Sequence, residues 1–215
     1  MGRAKLPRKS TSIDMTAMCD VAFLLLSFFI LTTKFKPAEA IAVTIPKSVA
    51  AKVAPTKDIV EVIIDKDGKV FLSMDDESIK ETVANTLNST KGLNLNIKAF
   101  KVAQFFGAPF NGMASYLQLP EDQRKGNLLP GIPVKDSTNN ELTTWMSAVV
   151  NAYQGKKPNF LVKGDNIAKY PAFKAVITAF KKNDILKFQM VTSPEGIPVG
   201  TDLWKKTQTG EKREE

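Results

Sequence analysis

The feature that most constrains this chain lies near its start: across residues 15–33, 19 consecutive positions carry a single charge, Asp20. Positions 21–26 and 28–31 are unbroken apolar blocks. At a rise of about 1.5 Å per residue, a helix of that length just crosses a hydrocarbon core of ~30 Å. Such a run is either placed in a bilayer or removed as a leader.

The carboxylate is the part that needs a physical reason. An acid inside a span costs about 2.5–3.5 kcal/mol on insertion scales, and such residues usually face a protein interior or a water path. At 100° per residue, Thr16, Asp20 and Ser27 fall within about 40° of one another, so one stripe holds three polar groups while Ala22, Leu25 and Phe29 face the other way. Apolar surroundings penalise the charged form and bring the protonated and ionised states closer in energy, as a reversible proton carrier requires. Plainer readings stand beside this one. Asp20 lies in the first third of the run, where it would also mark the hydrated edge of a simple anchor. A lone serine such as Ser27 commonly back-bonds to its own helix. A basic start, an apolar core over 21–31 and Ala38-Glu39-Ala40 fit a cleavable secretory signal, against which stand Lys34 and Lys36 ahead of the cleavage position and the acids Asp14 and Asp20.

Composition removes most other functions. The 215 residues contain no histidine, which excludes Ser-His-Asp and Cys-His relays and histidine-ligated metals. One cysteine, Cys19, cannot make an internal disulfide or a cysteine metal cluster. No enzymatic activity, metal or organic cofactor is therefore expected. The net charge of +8 arises from 30 basic residues scattered among 22 acids, with no zinc-finger or RNP-like pattern, so no nucleic-acid partner is expected either. Hydrophobic residues at 43% are enough for one ordinary folded domain plus one span.

Five segments follow from the pattern: a basic tail over 1–14, the span over 15–33, an extended linker over 34–57, an α/β domain over 58–206 and a charged, disordered tail over 207–215. The linker holds Pro37, Pro46 and Pro55, and its stretch Val43-Thr44-Ile45 before Pro46 is biased to extended geometry. In the domain, apolar alternation over 58–64, the turn Asp65-Lys66-Asp67-Gly68 and Val70-Phe71-Leu72 predict a hairpin. Ser78 and Glu81 suggest a capping box ahead of Ile79, Val83 and Leu87 on one helical face. Phe160-Leu161-Val162 reads as a strand. Phe173, Val176, Ile177 and Phe180, behind Pro171, read as an amphipathic helix. Residues 186–191 read as a further strand. The expectation is a single transmembrane helix plus an α+β domain, a small mixed sheet with two helices on one face. Residues 91–158 hold helices, notably 141–153, and read as a helical insertion that is a separable recognition element; the competing view is that Trp145, Met146, Val149 and Val150 complete the main core.

Ile13-Asp14-Met15-Thr16, then Asp20-Val21 and a Leu/Phe-rich run, resemble the opening of the ExbD/TolR family. Ala17 departs from it, since the family places Pro there. Val43-Thr44-Ile45-Pro46 is similar to the family's strand after the linker, Ile64-Asp65-Lys66-Asp67-Gly68-Lys69-Val70 to its first hairpin, and Lys163-Gly164-Asp165 through Tyr170 to its later strand and helix. The resemblance covers roughly 10–88 and 159–196.

What the resemblance implies is a proton-driven inner-membrane subunit, with the amino terminus in the cytoplasm and the domain in the periplasm. Two such spans sit inside a ring of an ExbB-like multispan partner, so the chain self-associates as a dimer. Protons are the coupling ion, carried by Asp20 with Thr16 and Ser27 along the route. A TonB-like protein that spans the periplasm is engaged by the domain, with Val43, Ile45 and Pro46 as the expected contact. Alternatives are a TolR-like or MotB-like role in cell-envelope work, or a secreted binding protein released by cleavage near Ala40.

Overall fold

A computed structural model describes residues 15–32, 41–49, 54–120, 123–134, 140–201 and 204–205. The basic tail 1–14, the linker residues 33–40 and 50–53 and the carboxyl-terminal tail 207–215 lie outside the described residues. The chain divides into two units, Met1–Ala38 and Glu39–Glu215.

The described part of the first unit is one helix, α1 (Met15–Thr32), which runs through Ala17 and contains no buried residue. It is long and apolar enough to cross a membrane. At 18 residues it spans about 27 Å.

In the second unit the elements are β1 (Lys47–Ser48), β2 (Ile59–Ile64), β3 (Val70–Met74), α2 (Glu77–Lys91), α3 (Ile97–Val102), α4 (Phe110–Gln118), a 3-10 turn (Gly126–Leu128), α5 (Glu141–Ala152), β4 (Asn159–Gly164), α6 (Tyr170–Lys182), β5 (Gln189–Met190) and β6 (Ser193–Pro194). The main sheet has the order β3-β2-β4-β5, with β3 antiparallel to β2 and both other pairs parallel. A separate two-stranded parallel sheet joins β1 to β6. The expected α+β domain with a small mixed sheet is present.

The hairpin forms where the alternation placed it, pairing Val60 with Met74 and Ile64 with Val70. Its turn is closed by Asp65, whose Oδ1 accepts from the N–H groups of Asp67 and Lys69 at 2.9 and 2.8 Å. Gly68 has φ 80°, which a side chain would resist. Helix α2 starts earlier than the capping-box reading implied. Asp76, not Ser78, is the N-cap, and its carboxylate accepts from the N–H of Ser78 and of Ile79. The buried face is nevertheless the expected one, with Ile79, Val83 and Leu87. The strand expected over 186–191 is cut to two residues, and Leu186 is 77% exposed. Apolarity there reflects a loop beside the sheet edge rather than a ladder.

Residues 91–158 bear on the two views of this region. The packing favours the competing view that the region completes the main core over a separable insertion, because Phe100, Phe106, Met113, Leu142, Trp145, Met146 and Val149 belong to the same buried cluster as the β2 and β3 residues Val62 and Leu72. Helix α5 packs against both α2 and α6, so the helix layer has its middle member from this region. The same region closes the β3 edge. Leu72 exchanges backbone hydrogen bonds with Phe106 at 2.9 and 2.7 Å, and Ile132 N–H donates to the Val70 carbonyl at 2.7 Å. Unpaired strand groups would otherwise invite another chain. Phe105 meets Phe71 edge-on at 5.9 Å, whereas the next residue, Phe106, stacks on Phe100 at 4.1 Å. Adjacent residues of an extended segment point to opposite faces, so this one passage covers Phe71 and extends the aromatic cluster around Trp145.

Candidate functional site

Asp20 sits in α1 as its only Asp, Glu, Lys or Arg, and its side chain is exposed. Helical geometry holds from Met15 to Thr32, so the spacing of Thr16, Asp20 and Ser27 does place all three on one side of the cylinder. Thr16 is exposed one turn before Asp20, and Ser27 is half-buried two turns after it. The Ser27 hydroxyl donates to the Leu24 carbonyl at 2.9 Å, the back-bonding that the plainer reading anticipated. Thr32 does the same with the Phe28 carbonyl at 2.7 Å. With its proton committed to the helix, Ser27 keeps its oxygen lone pairs for accepting. In a bilayer the eleven exposed large apolar side chains of α1 would meet lipid without penalty, whereas the Asp20 carboxylate would need a polar partner or water.

Residues 41–49, expected as free extended linker, lie against their own domain. Ile41 is 6% exposed and Val43 packs against the core cluster. Thr44 N–H donates to the Asp165 carboxylate at 2.9 Å, and Asn166 N–H to the Thr44 carbonyl at 2.8 Å. The Pro46 carbonyl accepts from Ser193 N–H at 2.9 Å, and that of Ser48 from Glu195 N–H at 2.9 Å. Strand pairing thus begins at Lys47 rather than at Val43 and Ile45, because Pro46 has no N–H to give a ladder. Asp165 also accepts from Ile167 N–H at 2.9 Å, and these two backbone bonds hold its carboxyl below the usual carboxylate range. Val43 and Pro46 are therefore engaged in intramolecular contacts, and Ile45 between them is half-buried.

Sequence reasoning missed Lys80. It is 6% exposed on α2 and donates from Nζ to the carbonyls of Ala103 at 2.8 Å and Lys101 at 3.3 Å, at the end of α3. Burial lowers its pKa, against the pull of Glu77 and Asp75. Lysine is a poor core candidate by type, and only its i+1 position beside Ile79 hinted at the inward face. Groups of three or more metal-ligating side chains are absent among the described residues.

Residues 7–105 match the family model described as Biopolymer transport protein ExbD/TolR, a little under half of the chain. This segment, which runs from ahead of α1 to just past α3, is the part of the chain that is similar to the ExbD/TolR family. The match spans Asp20, the 41–49 segment, the hairpin and Lys80, and it extends beyond residue 91, where the insertion was expected to begin. No curated protein and no solved structure matches the chain. The description of that family is one of biopolymer transport.

Proposed function

We propose that the chain is the proton-carrying subunit of an ExbB–ExbD-type inner-membrane motor that powers TonB-dependent transport through the outer membrane. The observation that carries this reading is Asp20, the one ionisable acid on an apolar helix inside the segment that matches the family. In this scheme α1 crosses the membrane once, with its amino terminus in the cytoplasm and the folded domain in the periplasm, and pairs with a second copy inside a ring of multispan partners. Asp20 takes a proton from one hydrated port, is neutral while it passes apolar surface, and releases the proton on the other side. One charge crossing 100 mV yields ~2.3 kcal/mol, which repeated cycles convert into movement of the span relative to the ring. Thr16 and Ser27 flank Asp20 along that face as polar contacts.

Asp20→Asn tests the reading. The amide keeps the volume and accepts hydrogen bonds but cannot release a proton. The variant is expected to insert and to copurify with its ring partner while energy-dependent transport is lost. Transport at the wild-type rate would remove Asp20 from the mechanism. Loss of outer-membrane uptake separates this role from a TolR-like one, in which envelope integrity fails instead.

A further inference from the structure

The segment 41–49 is held at the periphery of the domain, and one of its contacts comes from the region beyond the family match. Ile41 is buried against Gly126 in the 3-10 turn, where an added Cβ would lie 3.1 Å from Ile41 Cγ2 and 3.2 Å from Cγ1. Further anchorage comes from Val43 against the core, from the Thr44 N–H bond to the Asp165 carboxylate, and from three backbone hydrogen bonds donated by Asn166, Ser193 and Glu195. Among the described residues strand β1 pairs with β6 in a sheet apart from the main one, so lifting it breaks no bond of the β3-β2-β4-β5 sheet. Elements with little buried apolar surface and edge hydrogen bonds open at lower free energy than the core beneath them.

We propose that residues 41–49 form a releasable strap, with Ile41 as its catch and the Gly126 turn as the seat, so that the region past residue 105 sets how readily the strap lets go. Release hands these residues to the chain leading from the span to the domain, each adding up to ~3.5 Å of reach. It also leaves Ser193 and Glu195 without backbone acceptors, which favours re-docking and makes the element two-state. The strap goes beyond the proton reading and does not depend on it.

The test is amide hydrogen exchange on the full chain in lipid nanodiscs. In the wild type the amides of Thr44, Asn166, Ser193 and Glu195 should exchange as one group, faster than those of Val62 and Val162 in the central strands. Ile41→Ala removes the catch, and Gly126→Ala crowds it from the other side. Each should speed exchange of the four strap amides roughly ten- to hundredfold, with Val62 and Val162 unchanged. Three results overturn the proposal: strap amides that exchange in step with the central strands, strap amides unaffected by Ile41→Ala, or uniform acceleration across the domain in both variants. Because exchange is read on the protein alone, failure of Asp20 to carry protons would leave this result untouched.

Discussion

Replacing Trp145 by Ala asks whether residues 91–158 belong to the main core. The indole is 0% exposed and lies against three phenylalanines, with ring centroids at 5.9 Å to Phe100, 5.2 Å to Phe106 and 5.7 Å to Phe110. Truncating a buried Trp to Ala typically costs about 3–5 kcal/mol through lost burial and the cavity left behind. One effect runs the other way. The indole N–H is buried without a hydrogen-bond partner, and removing an unsatisfied donor returns about 1–3 kcal/mol. The expected net loss is about 2–3 kcal/mol, which lowers the melting temperature by roughly 4–12 °C for a chain of this size. Trp145→Phe keeps most of the stacking and drops the orphaned donor, so it should fall within about 1 kcal/mol of the wild type. Thermal unfolding followed by circular dichroism, with exchange of the Val62 and Val162 amides, reads both variants. The common core predicts that Trp145→Ala accelerates exchange in β2 and β4 in proportion to the lost stability. Acceleration confined to 91–158, with β2 and β4 unchanged, would refute the reasoning and restore a separable insertion.

Two further predictions concern ionisable groups in the domain. Lys80→Met leaves the Lys101 and Ala103 carbonyls without this donor but removes a buried ammonium, for an expected net loss of about 1–2 kcal/mol at neutral pH, measured by urea unfolding. Because the folded pKa of Lys80 lies below its ordinary 10.5, the unfolded chain binds more protons in that interval, so wild-type stability should climb as pH rises through the folded value towards 10.5. The Met variant should lack that climb, and an identical slope would show that Lys80 is not its source. Glu141 accepts the Phe110 N–H at 2.8 Å at the start of α4, where Pro109 offers no side-chain cap. Burial raises its pKa above 4.5, so its contribution is fully present below about that pH and is lost as pH rises through the folded value. Glu141→Gln keeps an oxygen for Phe110 and should flatten this part of the stability profile, as pH-resolved melting curves would show.

Local patterns in the sequence determined a good deal of this protein. The apolar helix over Met15–Thr32, the single acid within it, the hairpin closed by Asp65 and Gly68, and the helix behind Pro171 all rest on residues within a turn or two of one another. Periodicity and turn chemistry act at that range, so they can be read without knowing what lies opposite. What the tertiary structure alone decided involves partners far apart in the chain. Trp145, Met146 and Val149 form an amphipathic face whether α5 closes a separate lobe or, as here, sits between α2 and α6. Lys80 is inward because carbonyls 21 and 23 residues away need a donor. The strap is docked because Asp165, 121 residues beyond Thr44, offers a carboxylate to its N–H, and because Gly126 leaves room for Ile41. Such contacts are chosen by packing and by the demand that buried backbone groups be paired, and neither is written in the order of neighbouring residues.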